Sequence, residues 1–176
     1  MKDVRIEIIK GDITERETDA IVNTANNLLL LGSGLGGAIK AKGGTSIAKE
    51  CAQYGTIEIG DAVVTGAGNL KTQHIIHAAL TEFDGHITRE NIETALLSSL
   101  QLANKKRFKS IAIPDMGVGI SRFPPEPCAE IMFTILKKYV ETKNRYLRLI
   151  EIILWDIESL RIFKRVYLRM FQQGEA

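Results

Sequence analysis

Two stretches of this chain combine glycine with small polar residues where strand-like segments give way to helix-like ones. The first runs Asn23-Thr24-Ala25-Asn26-Asn27, through four leucines, to Gly32-Ser33-Gly34-Leu35-Gly36-Gly37-Ala38-Ile39. The second is Pro114-Asp115-Met116-Gly117-Val118-Gly119-Ile120-Ser121-Arg122-Phe123. Glycine lets the backbone approach a ligand closely, and the free N–H groups at a helix start attract anions. Two such loops can hold a diphosphate between them. Either one alone can equally be a place where glycines merely turn the chain. Gly32, Gly34 and Gly37 spell G-x-G-x-x-G. A dinucleotide fingerprint, however, needs its first glycine directly after a strand and an acid ending the next strand. Several residues separate Thr24 from Gly32, and Glu50 falls in a helical pattern, so that reading is rejected. No G-K-[ST] follows the glycines, which excludes a P-loop.

The elements that must carry these loops are legible. Val4, Ile6 and Ile8 alternate with Arg5 and Glu7, as a half-buried strand requires. Short apolar runs at Ala20–Thr24, Asp61–Thr65, His74–Ala79, Ser110–Pro114 and Leu149–Trp155 read as further strands. Ile92, Leu96, Leu100 and Ala103 recur at helical spacing behind Thr88, a good N-cap residue. A second stripe from Cys128 to Tyr139 opens at Pro124-Pro125, where a missing N–H does no harm. A third contains Leu160, Phe163, Tyr167 and Met170, behind Asp156 as cap. Gly34–Gly43 and Ser46–Tyr54 predict two shorter helices. The expected fold is α/β: a three-layer α/β/α sandwich on a mixed, mostly parallel sheet. In such sheets ligands sit beyond the carboxyl ends of the strands, where both glycine loops fall.

At 176 residues the chain is one domain, given about 150 residues per domain. Its 45% apolar and 25% charged residues are ordinary globular values and exclude a disordered or fibrous chain. A net charge of +2 gives no whole-molecule attraction to nucleic acid. Arg161, Arg165 and Arg169 form a basic stripe that reads as a solvated helix face, with nucleic-acid contact the minority alternative. Cys51 and Cys128 lie far apart without metal spacing, as reduced thiols do. His77, inside an apolar strand, reads as a core histidine. Neither a bilayer-length apolar run nor a signal peptide is present, so a soluble cytoplasmic protein is expected.

In order along the chain, Gly11-Asp12-Ile13-Thr14, Asp19–Asn26, the glycine loop through Ile39, Gly60–Thr65, Ile75-Ile76-His77, Ser110–Pro114, Gly119–Pro124 and Leu154-Trp155-Asp156 resemble the macrodomains. The resemblance covers nearly the whole chain and implies one macrodomain over residues 1–176 that binds ADP-ribose or a related NAD metabolite. It needs no metal and no cofactor. It gives Asp12 the adenine amino group, Ile13 a wall of that pocket, and Trp155 an aromatic place beside it. Asn26 orients the distal ribose. Gly32, Ser33, Gly34, Leu35, Gly36, Gly37 and Ala38 form one phosphate loop. Gly117, Val118, Gly119, Ile120 and Ser121 form the other.

The departures bear on catalysis. The common hydrolase branch carries Asp ten residues after the second Asn of its motif; here that residue is Gly36. The viral-type histidine position is Leu31, and an acid or aromatic slot in the second loop is Ser121. These groups would activate or position water. Asn26, or Asp115 where the family has a small residue, is the remaining candidate for that role. A carboxylate at Gly36 would suit a helix start electrostatically, and its expected cost is steric. The resemblance therefore implies a module for free ADP-ribose or for ADP-ribosylated protein or nucleic acid. Its alternatives are an ADP-ribosyl hydrolase, an O-acetyl-ADP-ribose deacetylase, or an ADP-ribose 1″-phosphate phosphatase.

Overall fold

Alternation at the amino terminus produces β1 (Arg5–Lys10), and the apolar runs become β2 (Ala20–Asn26), β3 (Ala62–Gly66), β4 (His74–Thr81), β5 (Ser110–Pro114) and β6 (Leu149–Leu154). This computed structural model describes residues 4–119 and 121–171. One sheet has the order β1-β6-β5-β2-β4-β3. Every pairing is parallel except β3 with β4. The mixed, mostly parallel sheet expected from the sequence is therefore present.

Strand alternation sends side chains to two cores. Val22, Ile76, Ile111 and Ile152 pack with Ile92, Leu96, Phe133, Leu136 and Phe163, which lie on α3 (Arg89–Lys105), α4 (Pro125–Thr142) and α5 (Ile157–Phe171). On the opposite face Ile21, Ile75, Ala112 and Ile153 meet Ile39 and Ile47 of α1 (Gly34–Gly43) and α2 (Thr45–Tyr54). These are the three layers. The caps fall where residue type placed them. Thr88 Oγ1 accepts from the Asn91 N–H at 3.2 Å, and Asp156 Oδ1 accepts from the Ser159 N–H at 2.8 Å. Pro125 is the first residue of α4. The basic stripe on α5 departs from a purely solvated face. Arg165 reaches Glu126, and Arg169 reaches Glu126 and Glu130, so two of its three arginines tie α5 to α4. Cys51 and Cys128 are buried and unpaired.

The sheet holds two polar contacts that no periodicity announces. Arg16 donates twice to Glu151, from Nε at 2.8 Å and Nη2 at 2.7 Å, holding the segment after β1 against β6. His77 is fully buried. Thr65 gives its proton to the Gly66 carbonyl at 2.8 Å, so its oxygen accepts from His77 Nε2–H at 2.9 Å. That fixes Nδ1 as the acceptor from Asn23 Nδ2, 3.1 Å away. The core histidine expected from the sequence is thus a neutral hydrogen-bond bridge across three strands.

Burial pushes His77 down to about 4, from 6.5. Protonation then favours the unfolded chain, whose histidine takes a proton first. The contribution is complete above about pH 6.5 and is lost as pH falls through about 4, a window worth roughly 3 kcal/mol. Between about pH 7 and about pH 4.5 the wild type should lose more stability to denaturant than His77→Gln does. Equal losses would place the acid-labile group elsewhere.

Candidate functional site

Strand order brings four loops together at one end of the sheet. The Asp12 turn follows β1, Trp155 follows β6, the Asp115–Phe123 loop follows β5, and the Asn26–Ser33 loop follows β2 into α1. Neighbouring contacts join the first two: Gly11 N–H donates to the Leu154 carbonyl at 2.9 Å.

Asp12 caps a single helical turn, Ile13–Glu15. Its Oδ1 accepts from the Thr14 N–H at 2.9 Å and from Thr14 Oγ1 at 2.6 Å. Its Oδ2 points outward and meets Lys42 Nζ at 2.6 Å. Burial raises the carboxyl, but the bonds from Lys42 and Thr14 outweigh it and hold Asp12 below the ordinary carboxylate range. Ile13 is buried beneath this turn. Trp155 lies one residue past the end of β6 and is 73% exposed, an indole free on its face.

At the other end, Ser33 precedes α1 without making a side-chain cap, and no acid lies in the first turn. The opening amides of α1 are therefore available to an anion. Gly34 has φ 56°, which turns the chain into the helix, and a Cβ on Gly37 would come within 3.2 Å of the Gly32 carbonyl oxygen. Of the residues expected to form this loop, Gly32 and Ser33 precede α1, whereas Leu35, Gly36 and Ala38 belong to its first turns.

The second loop turns at Gly117, φ 107°, where a Cβ would strike Ile87 at 2.6 Å. Val118 N–H donates to Asp115 Oδ1 at 2.9 Å. Phe123 N–H closes the loop on the Gly117 carbonyl at 2.9 Å. Gly119 and exposed Ser121 are at its tip, and Ile120 lies outside the described residues. Both loops carry a non-glycine residue in the left-handed region, Leu29 at φ 55° and Arg122 at φ 53°. Backbone strain of this kind concentrates at functional sites.

The two candidates for water activation are committed to their own loops. Asn26 Oδ1 accepts from the N–H groups of Leu28 at 3.1 Å and Leu30 at 3.2 Å, while its Nδ2 donates to the Leu30 carbonyl at 2.9 Å. Asp115 is a loop-organising carboxylate. Burial pushes it up, against the pull of the Val118 and Gly119 amides, and Asp156 nearby adds to the rise. Asp156 itself caps α5, which lowers it through the Ser159 N–H. Leu31 is buried.

Sequence reasoning missed Lys42. A lysine in the last turn of a helix ordinarily complements the helix dipole, and nothing in its spacing connects it to Asp12.

The Macro domain family matches residues 22–132. An uncharacterized protein of Saccharolobus solfataricus is 40% identical, over 93% of each chain. A macro domain-containing protein of Caldanaerobacter subterraneus is 35% identical over 93% of this chain and 95% of its own. Among solved structures, an Oceanobacillus iheyensis macrodomain with ADP superposes with a TM-score of 0.89 at 24% identity, covering 98% of this chain and 94% of the other. A Trypanosoma brucei macrodomain in complex with ADP-ribose gives 0.84 at 24% identity, over 91% and 68%.

The steric cost expected at Gly36 is not found. Gly36 lies in the first turn of α1 outside the left-handed region, and a Cβ there would rest 3.5 Å from Leu31, an ordinary contact. A carboxylate near a helix start is favoured, and aspartate is a better helix residue than glycine. Gly36→Asp should therefore raise stability by about 0.5–1 kcal/mol in urea unfolding. A loss would show that Leu31 does not tolerate the added side chain.

Proposed function

The chain belongs to the macro domain family, and on that premise we propose that residues 1–176 form a single macro domain that binds ADP-ribose, free or attached to a protein or nucleic acid. The observation that carries the reading is the spacing of two unlike ends. An outward carboxylate oxygen beside an exposed indole suits a base, which offers an amino edge and a stacking face. The unpaired opening amides of α1, facing a second glycine loop, suit a diphosphate. From Gly34 to Lys42, which touches Asp12, α1 rises roughly 12 Å, a span that a nucleoside diphosphate covers. The similar structures that hold ADP and ADP-ribose support the same ligand class. Among the described residues no helix is long and apolar enough to cross a membrane. The two unpaired buried thiols support a cytoplasmic location, where thiols stay reduced.

Calorimetry should show ADP-ribose binding at micromolar affinity. Losing a hydrogen bond to a charged group costs roughly 1.5–3 kcal/mol, so Asp12→Ala should weaken binding at least about tenfold. The same titration should quench the fluorescence of Trp155, the only tryptophan. Unchanged affinity in folded Asp12→Ala would remove Asp12 from the site. Saturable binding with a constant signal would remove Trp155.

The reading favours binding over turnover. Asn26 and Asp115 are held by backbone groups, and no carboxylate stands at Gly36. Hydrolysis of glutamate-linked ADP-ribose should be weak, and Gly36→Asp should raise it toward the about 10²–10⁴-fold that general acid–base help supplies. Wild-type turnover equal to that of a catalytic macrodomain would overturn the binding-module reading. Abolition of that turnover by Asp115→Ala, with ADP-ribose still bound, would make Asp115 the catalytic carboxylate.

A further inference from the structure

Among the described residues, three that are not glycine have left-handed backbone: Leu29 at φ 55°, Arg107 at φ 59° and Arg122 at φ 53°. A side chain there costs free energy that glycine avoids. Two of the three have a visible reason to carry one. Leu29 is 3% exposed and belongs to the core on the α1 face of the sheet. Arg107 closes the end of α3: its N–H donates to the Asn104 carbonyl at 3.0 Å, and its guanidinium lies 5.8 Å from the centre of the Tyr146 ring. Arg122 has neither kind of support. It is exposed, and among the described residues its guanidinium has no hydrogen-bond or ion-pair partner.

The backbone of Arg122, by contrast, is fixed. Its N–H donates to the Gly119 carbonyl at 3.3 Å, and the next N–H, of Phe123, donates to the Gly117 carbonyl at 2.9 Å. Phe123 packs against the larger core. Arg122 is thereby folded back on Gly117, Val118 and Gly119, in the loop proposed to hold the diphosphate. A strained, exposed cation that holds nothing within the fold is placed to hold something outside it. A guanidinium presents N–H donors in a planar fork that matches phosphate oxygens. From this placement we infer that Arg122 is a ligand-binding residue of the site. Its guanidinium closes on the diphosphate from the β5 side, across from the opening amides of α1, and the backbone strain is the cost of a cation at that point. The inference rests on the reading of the site as one for ADP-ribose.

The test is calorimetry of the full chain with ADP and with ADP-ribose, on wild type, Arg122→Gly, Arg122→Gln and Arg122→Lys, at low and high salt. Urea unfolding of each protein accompanies it. Glycine suits this backbone, so Arg122→Gly should unfold at a urea concentration no lower than wild type does. The same variant should bind ADP and ADP-ribose each about tenfold more weakly, and so should Arg122→Gln, because hydrogen bonds to a charged group are lost. Arg122→Lys should recover part of that loss, since it keeps the charge without the fork. Added salt should weaken wild type more steeply than Arg122→Gly or Arg122→Gln. Affinity lost while stability is kept is a combination that a merely structural arginine does not give. A lower unfolding midpoint for Arg122→Gly makes the arginine structural and overturns the inference. Unchanged affinity in both neutral variants makes it a solvated side chain and overturns the inference as well. Weakening of ADP-ribose alone moves the guanidinium to the distal ribose and overturns the diphosphate assignment. In each of these cases wild-type binding leaves the ADP-ribose reading intact; wild type that binds neither ligand overturns both.

Discussion

The site exists because two parallel strands stop pairing early. β2 and β5 are in register at only two positions, Ala20 with Ile111 and Ile21 with Ala112, although both strands run on. Their starts are pinned. Asp19 Oδ2 accepts from the N–H groups of Lys109 at 2.6 Å and Ser110 at 3.1 Å, and Asp19 N–H donates to Ser110 Oγ at 2.8 Å. Beyond Ala112, β5 stays with β6 as far as Pro114, which has no N–H to offer another ladder. Chain path accentuates the parting. β2 leaves into α1 on one face, while β5 is entered from α3 on the other. Open α/β sheets receive ligands at such a switch point. The two glycine loops follow the strands on either side of this one, with the ends of β1 and β6 alongside.

Where the strands part, the structure is supported by buried polar contacts. Asn23 lies on β2 just past the last pair with β5, and its amide is anchored by His77, one strand away. Next to β1 and β6, Arg16 holds the carboxylate of Glu151, which is only 5% exposed. A buried pair of this kind is weak evidence for stability, but removing one partner strands a charge. The positioning consequence is clearer. Arg16 follows directly on the turn that Asp12 caps, so the Arg16–Glu151 clamp fixes the carboxylate turn against the strand that leads to Trp155. Rigid parts below carry strained loops above, where Leu29 and Arg122 are left-handed; a third such residue, Arg107, lies in the turn between α3 and β5.

What was legible in the sequence follows from which forces leave periodic traces. Burial does, so all six strands and the helix stripes could be read, to within a residue or two at their ends. Caps do as well, because Thr88 and Asp156 act on amides three residues away. Residue type alone does not reveal where a side chain's own hydrogen bonds go. Asn26 and Asp115 could be singled out as chemical candidates, but their bonds to Leu28, Leu30 and Val118 depend on loop shapes that no spacing encodes. Lys42 is the extreme case. Its partner is 30 residues away, and the contact exists only because α1 is laid across the end of β1. Gly36 was misjudged for the opposite reason. A run of glycines suggested special backbone throughout, yet in that helix start only Gly34 has a positive φ.

Binding and catalysis make different demands on such a framework, and the departures in this chain fall on one side of that difference. An anion held by backbone amides is indifferent to the side chains that the amides carry. Ser33, Gly36, Val118 and Ser121 can vary, provided that the loops keep their turns. Gly34 and Gly117 secure those turns by conformation, and Gly117 secures its own also by the lack of space at Ile87. Activating a water requires a titratable side chain at one place with one protonation state. Here the nearby titratable groups are tied up as structure: Asp156 caps α5, Asp115 organises its loop, and Asp12 is held by Thr14 and Lys42. A carboxylate that accepts two or three hydrogen bonds is a poor proton acceptor, because those bonds stabilise its charged form. Of the three, only Asp115 is pushed up, and it is burial that lifts it. If this chain turns over any substrate at all, Asp115 is therefore the one carboxylate whose environment raises its proton affinity. Using it would require releasing the Val118 amide and loosening the loop proposed to hold the diphosphate.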